Sequence, residues 1–120
     1  MIESITTHQS EEDIRNQSIF IYINGELIPK EKATISVYDS GFMLGDGIWE
    51  GLRLLNGSWV FLEEHLDRLY EAAVAIDLDI QLDKKELVKA LEITRQKNKM
   101  YTDAHARLMI TRGVKVKPFQ

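Results

Sequence analysis

The stretch GIWEGLRLLNGSWVF, residues 47–61, decides the fold. Ile48 to Leu55 reads as a strand, Asn56-Gly57 suits a type I′ turn, and Ser58 to Phe61 returns as its partner. Successive strand side chains point to opposite faces, so Trp49, Gly51 and Arg53 share one face and Glu50 and Leu52 the other. The same pattern occurs upstream in IFIYINGELIP: Ile19 to Ile23 is β-branched and aromatic, Asn24-Gly25 turns, and Glu26 to Ile28 returns. Pro29 cannot donate to a ladder and confines that return to an edge. Ala33 to Val37 is a further short extended candidate. Near the far end, Ala106, Leu108 and Ile110 alternate with Arg107, Met109 and Thr111, a strand with one apolar face closed by Gly113.

Between these strands the period changes. Leu62, Leu66, Leu69, Ala73 and Ile76 recur every three or four residues, so Glu63–Leu78 predicts an amphipathic helix. Glu63 and Glu64 suit its N-terminus, where helix dipoles favour negative charge. Asp83 and Glu86 carry a variant of the capping box ahead of Leu87, Val88 and Leu91, so a second helix runs to about Lys97. Strands segregated from helices give an α+β class: one antiparallel sheet built from the hairpins and the last strand, with two helices packed on one face.

Composition narrows the function classes. The 120 residues suit one domain, and 44% hydrophobic with 28% charged residues argues against a disordered chain. With no cysteine, disulfide scaffolds, thiolate metal sites and cysteine nucleophiles are excluded. The formal charge of −4 disfavours nucleic-acid binding, which needs a basic footprint. No run of about 18 apolar residues suggests a membrane span, and the N-terminus lacks a basic-then-apolar signal. A soluble cytoplasmic protein is the expectation. Residues 1–18 are polar and aperiodic and read as a leader. Residues 97–117 carry Lys97, Lys99, Arg107, Arg112, Lys115 and Lys117 against Asp103 alone, a basic stretch that faces either solvent or a small anion.

Several positions could carry chemistry. Gly41, Gly45 and Gly47 lie within seven residues, which implies unusual backbone angles or the close approach of another group. His8, His65 and His105 are far apart, and no metal cluster is visible. Arg68 falls at the border of the apolar stripe of its helix. It either pairs with Glu64 or Glu71 on the same helix or clamps a phosphate with its guanidinium fork. Trp49 beside Gly51 either packs in the core or leaves a slot for a flat or apolar ligand. His105 and Arg107 share the polar face of the last strand, where they meet solvent or a carboxylate.

In combination, DSGFMLGDG (39–47), GIWEGLRLLNG (47–57), EHLDRL (64–69) and TRG (111–113) resemble the N-terminal small domain of the class IV aminotransferases, the fold-type IV pyridoxal-phosphate enzymes. The resemblance covers residues 19–120. It implies that Arg68 holds the cofactor phosphate. It also implies that Trp49 takes an aromatic position of the substrate pocket, and that His105 and Arg107 match a Tyr-x-Arg pair near the substrate. In D-amino-acid enzymes an Arg-x-His beyond the T-R-G traps the substrate carboxylate. Those positions are Lys117 and Phe119 here, which disfavours that branch while leaving Lys117 as a positive charge. The Schiff-base lysine is expected in a C-terminal large domain outside this chain, so no catalytic residue is assigned within it. The expected parent is a homodimeric, pyridoxal 5′-phosphate-dependent aminotransferase acting on an amino acid, of branched-chain type, and a 2-oxo acid. The fragment alone is expected to be inactive and to self-associate. The alternatives are an aminodeoxychorismate lyase, a D-amino-acid aminotransferase, or a non-catalytic ligand-binding or oligomerisation module.

Overall fold

A computed structural model describes residues 13–115. Both Asn-Gly dipeptides form hairpins. Asn24 and Gly25 have φ of 49° and 90°, Asn56 and Gly57 50° and 80°, the positive pair that a type I′ turn requires. The first turn joins β1 (Phe20–Ile23) to β2 (Glu26–Pro29). The second joins β3 (Gly47–Leu55) to β4 (Ser58–Trp59). The last strand, β5 (Ala104–Thr111), pairs antiparallel with β3 along its length, from Gly47 opposite Thr111 to Leu54 opposite Ala104.

The class is α+β, as expected, but the strands form two sheets, β1-β2 and β4-β3-β5. The outer edge of β1 is taken by a side chain. Asn98 accepts a hydrogen bond from the Phe20 N–H at 2.7 Å and donates to the Phe20 carbonyl at 2.9 Å. Asn98 is the C-cap of α3 (Lys84–Lys97), so the end of that helix meets β1 at Phe20, where a neighbouring strand would pair.

The long helices match their periodicity. In α2 (Leu62–Ala75), Leu66, Leu69 and Ala73 are buried. In α3, Leu87 and Leu91 are buried. Leu66, Leu69 and Leu87 form a core cluster, against which Ile48, Leu108 and Ile110 of the three-stranded sheet pack. Leu52 and Leu54 on the same face of β3 are fully buried. Each such leucine contributes about 1.5–3 kcal/mol of hydrophobic stabilisation relative to an exposed one. The Asp83–Glu86 capping box is complete, with the Glu86 N–H donating to Asp83 at 2.8 Å and the Asp83 N–H donating to Glu86 at 3.1 Å.

Three local expectations change. Ala33 to Val37 forms no strand; a 3-10 turn at Lys30–Lys32 precedes it, and it runs on unpaired. β4 stops at Trp59, because Phe61 takes a left-handed φ of 53° to start α2. The glycine-rich stretch contains a short helix, α1 (Ser40–Leu44), capped by the Asp39 side chain and ended by Gly45 at φ 66°. Asp39 also accepts a hydrogen bond from the Thr111 hydroxyl at 3.1 Å, which ties α1 to the end of β5.

Arg112, just past β5, binds the same region together. Its guanidinium pairs with the Asp46 carboxylate at 2.7 Å and donates to the carbonyls of Ile76 and Asp77 at 2.7 and 3.0 Å. Those carbonyls lie beyond the last turn of α2, where unsatisfied acceptors and the helix dipole favour a cation. Of the leader expected over 1–18, residues 13–18 are described. They hold a 3-10 turn at Ile14–Asn16, and Arg15 donates to the carbonyls of Thr102 and Asp103. Among the described residues, no helix is long and apolar enough to cross a membrane.

Candidate functional site

β3 separates two groups of polar side chains, one on each face. On the helix-covered face, Glu50 lies between the inward positions Ile48 and Leu52 and is only 5% exposed. A buried carboxylate needs partners to offset its lost hydration. Glu50 has two, both from α2. The His65 Nδ1 lies 2.7 Å from its Oε1, and Arg68 donates from Nε at 2.9 Å and Nη2 at 2.7 Å. His65 and Arg68 are three residues apart on one helix, the spacing that puts two side chains on a common face. The Arg68 guanidinium holds the Glu50 carboxyl below the ordinary carboxylate range; His65 adds to the effect, and burial opposes it.

Arg68 therefore pairs with neither Glu64 nor Glu71 but with a residue on the neighbouring sheet. Its Nε–Nη2 edge is occupied by Glu50. Its Nη1 has no hydrogen-bond partner among the described residues, and the side chain is 68% exposed. An outward guanidinium edge with open donors fits a phosphate group. The whole fork is not available to such a ligand, because half of it is committed to Glu50.

The outer face of β3 and β5 carries the second group. Trp49 is 54% exposed and so is not a core residue. The slot expected beside Gly51 is filled by His105. A Cβ added at Gly51 would lie 3.0 Å from His105 Cε1 and 3.1 Å from Nε2, so a larger residue would have to push the imidazole aside by a few tenths of an ångström. Arg107 stands opposite Gly51 in the register, and its guanidinium lies over the Trp49 ring, 4.2 Å from the centroid. Arg53 faces His105 across the ladder.

Charge pairing sets this face apart. Of the six arginines, Arg15, Arg68, Arg95 and Arg112 each form an ion pair with a carboxylate. Among the described residues, Arg53 and Arg107 form none, and both lie on the outer face of the sheet. A face holding two uncompensated guanidiniums and an imidazole can receive an anion.

The structure thus brings Trp49, His105 and Arg107 together and sets Arg68 with Glu50 and His65 on the opposite side of the same strand. Lys117 lies outside the described residues. Two features escape a reading of the sequence. Alternation puts Glu50 on the inward face but gives it no role, and a lone acid among inward apolar positions is the signal that could have found it. The Asp46–Arg112 pair is 66 residues apart in sequence, and no local pattern announces it. Among the described residues, no group of three His, Cys, Asp or Glu is placed to hold a metal ion.

Comparison with known proteins places these residues in context. Residues 47–117 match the family model for amino-transferase class IV. The chain is 41% identical over 101 residues to branched-chain-amino-acid aminotransferase-like protein 1 of Arabidopsis thaliana, covering 84% of this chain and 18% of that protein. It is 40% identical over 94 residues to a D-alanine aminotransferase of Listeria monocytogenes, covering 78% of this chain and 32% of the relative. Among solved structures it resembles the T.th. branched-chain amino acid aminotransferase complexed with N-(5′-phosphopyridoxyl)-L-glutamate. The TM-score is 0.74 at 26% identity, over 83% of this chain and 35% of the other. The chain spans about a third or less of the length of the curated relatives it matches.

Proposed function

Because the chain belongs to the class IV aminotransferases, we propose that the protein carrying it transfers an amino group between an amino acid, of branched-chain type, and a 2-oxo acid, with pyridoxal 5′-phosphate as cofactor. The family match extends over more than half of the chain and includes the strand that bears Trp49 and Glu50. The observation that carries the reading within the structure is the outer sheet face, where Arg107 has no carboxylate partner among the described residues.

In this reading Arg68 donates to the cofactor phosphate through its Nη1 side while Glu50 holds its other edge. Arg107 receives the substrate carboxylate, His105 offers a ring nitrogen beside it, and Trp49 forms an apolar wall. Lys117 is a further positive charge proposed to serve the substrate. When bound, pyridoxal 5′-phosphate supplies the electron sink of the reaction. The lysine that anchors it is assigned to a part of the protein outside these residues, and so is the proton shuttle. A homodimer is part of the proposal. Ile35, Val37, Tyr38, Phe42 and Val114 are each more than half exposed and form apolar surface for a second subunit.

The D-alanine aminotransferase relatives at 40% identity favour a second reading, a D-amino-acid donor. One experiment tests both. The intact protein, loaded with pyridoxal 5′-phosphate, is supplied with 2-oxoglutarate and either L-leucine or D-alanine, and glutamate formation is measured. Turnover with L-leucine supports the first reading and turnover with D-alanine alone the second. No turnover with either donor overturns both. A fragment of residues 1–120 that turned over by itself would contradict the assignment of the anchoring lysine.

A further inference from the structure

We propose that Trp49 is a positioning residue for Arg107, holding the guanidinium over its indole so that the N–H donors stay available to a carboxylate. The proposal rests on the reading of Arg107 as the carboxylate-binding residue. It adds a cause for where that arginine lies.

The geometry starts from Gly51. Arg107 is the register partner of Gly51, and Trp49 lies two residues away on the same face of β3. Such diagonal neighbours stand roughly 7–8 Å apart at the backbone, within reach of a long side chain. The space directly over Gly51 is taken by the His105 ring, 3.0 Å from where a Cβ would be. The guanidinium lies instead over the indole, 4.2 Å from its centroid. Nothing else holds it: Arg107 makes no ion pair or side-chain hydrogen bond among the described residues.

Stacking is compatible with carboxylate binding. The N–H donors of a guanidinium lie in its plane, so a ring beneath the plane leaves all of them free at the edge. A carboxylate partner would have consumed some of those donors, as Glu50 takes two of the five on Arg68. An aromatic shelf fixes the cation and leaves its hydrogen-bonding capacity to the ligand. An unsupported arginine must give up side-chain freedom at the moment of binding, which weakens affinity.

The test uses the intact protein with its cofactor bound, and glutarate as an inert dicarboxylate probe. Two quantities are measured: the dissociation constant for glutarate, and the Nε–Hε resonance of Arg107, identified by its loss in R107K. Trp49→Leu is expected to weaken glutarate roughly 2- to 5-fold, the range of an exposed cation–π contact. It is also expected to move the Arg107 resonance downfield as ring shielding is lost. Trp49→Phe, which keeps an aromatic face, should restore most of both. Trp49 is 54% exposed, so the unfolding midpoint should stay close to that of the parent, and W49M, which also lacks an aromatic face, is measured with the same expected losses if W49L does not fold. Unchanged glutarate affinity or an unmoved resonance in W49L overturns the proposal while a weakened R107L leaves the carboxylate reading standing. Unchanged affinity in R107L overturns that reading, and the proposal with it.

Discussion

Glu50 and Arg68 meet edge to edge, with Nε 2.9 Å from one carboxylate oxygen and Nη2 2.7 Å from the other. The pair links the buried face of β3 to the surface of α2. The carboxylate is almost fully buried, whereas the arginine is largely in solvent. The acid is thus the anchored partner and the arginine the aimed one.

Glu50→Gln should destabilise the protein by about 1.5–3 kcal/mol, the scale of hydrogen bonds to charged groups. An amide keeps the shape but turns an N–H₂ toward the guanidinium, so at least one of the two Arg68 bonds is lost. Urea unfolding measures the change. A variant as stable as the parent would show that the pair contributes nothing to folding.

The same pair sets a pH dependence. The folded carboxyl of Glu50 lies below its ordinary value, chiefly because of Arg68. A depressed carboxyl stabilises the fold above the unfolded value, about 4.3 for a glutamate, and loses that contribution as pH falls through the folded value. The stability gap between the parent and E50Q should hold from neutral pH down to about pH 5 and narrow below it. A gap that widens on acidification would reverse the assignment. Asp46 and Glu92 are shifted in the same direction by Arg112 and Arg95, so acid weakens the parent through those groups too.

Asp83→Ala removes the side-chain half of the capping box, the bond accepted from the Glu86 N–H, and should cost about 1 kcal/mol. Asp83→Ser should recover most of it, because a hydroxyl can still accept from the Glu86 N–H. The comparison is made by urea unfolding, with far-ultraviolet dichroism reporting α3.

Arg112→Lys should destabilise the protein, since an ammonium cannot span a carboxylate and two carbonyls at once. The local effect is the more diagnostic one. Amide hydrogen exchange at Asp46 and Gly47 should accelerate, because Arg112 fixes the turn that leads into β3.

How much of this is legible in the sequence depends on how far each interaction reaches along the chain. Both Asn-Gly hairpins and the Asp83–Glu86 box are local and follow from a few adjacent residues. The alternation of Trp49, Glu50 and Gly51 gives their faces correctly. Helix α1 is five residues long, too short for a periodic pattern, and the bond that ties its cap residue Asp39 to Thr111 spans 72 residues. Helix-face reasoning misplaces the partner of Arg68 because it searches three or four residues away, whereas Glu50 is 18 away. The split into two sheets is hidden for a like reason. The outer edge of β1 meets Asn98 at Phe20, 78 residues away in sequence, rather than another strand.

Asn98 has a consequence outside the site. A strand edge with free N–H and C=O groups is a template on which another chain can add a strand and begin to aggregate. At Phe20 both groups are already occupied by one side-chain amide, which imitates the peptide group of a neighbouring strand. The same amide also donates to the Thr94 carbonyl in the last turn of α3. One residue therefore ends a helix and covers the outward backbone groups of the sheet edge at Phe20, so protection against strand addition at that position comes from a side chain rather than from a further strand.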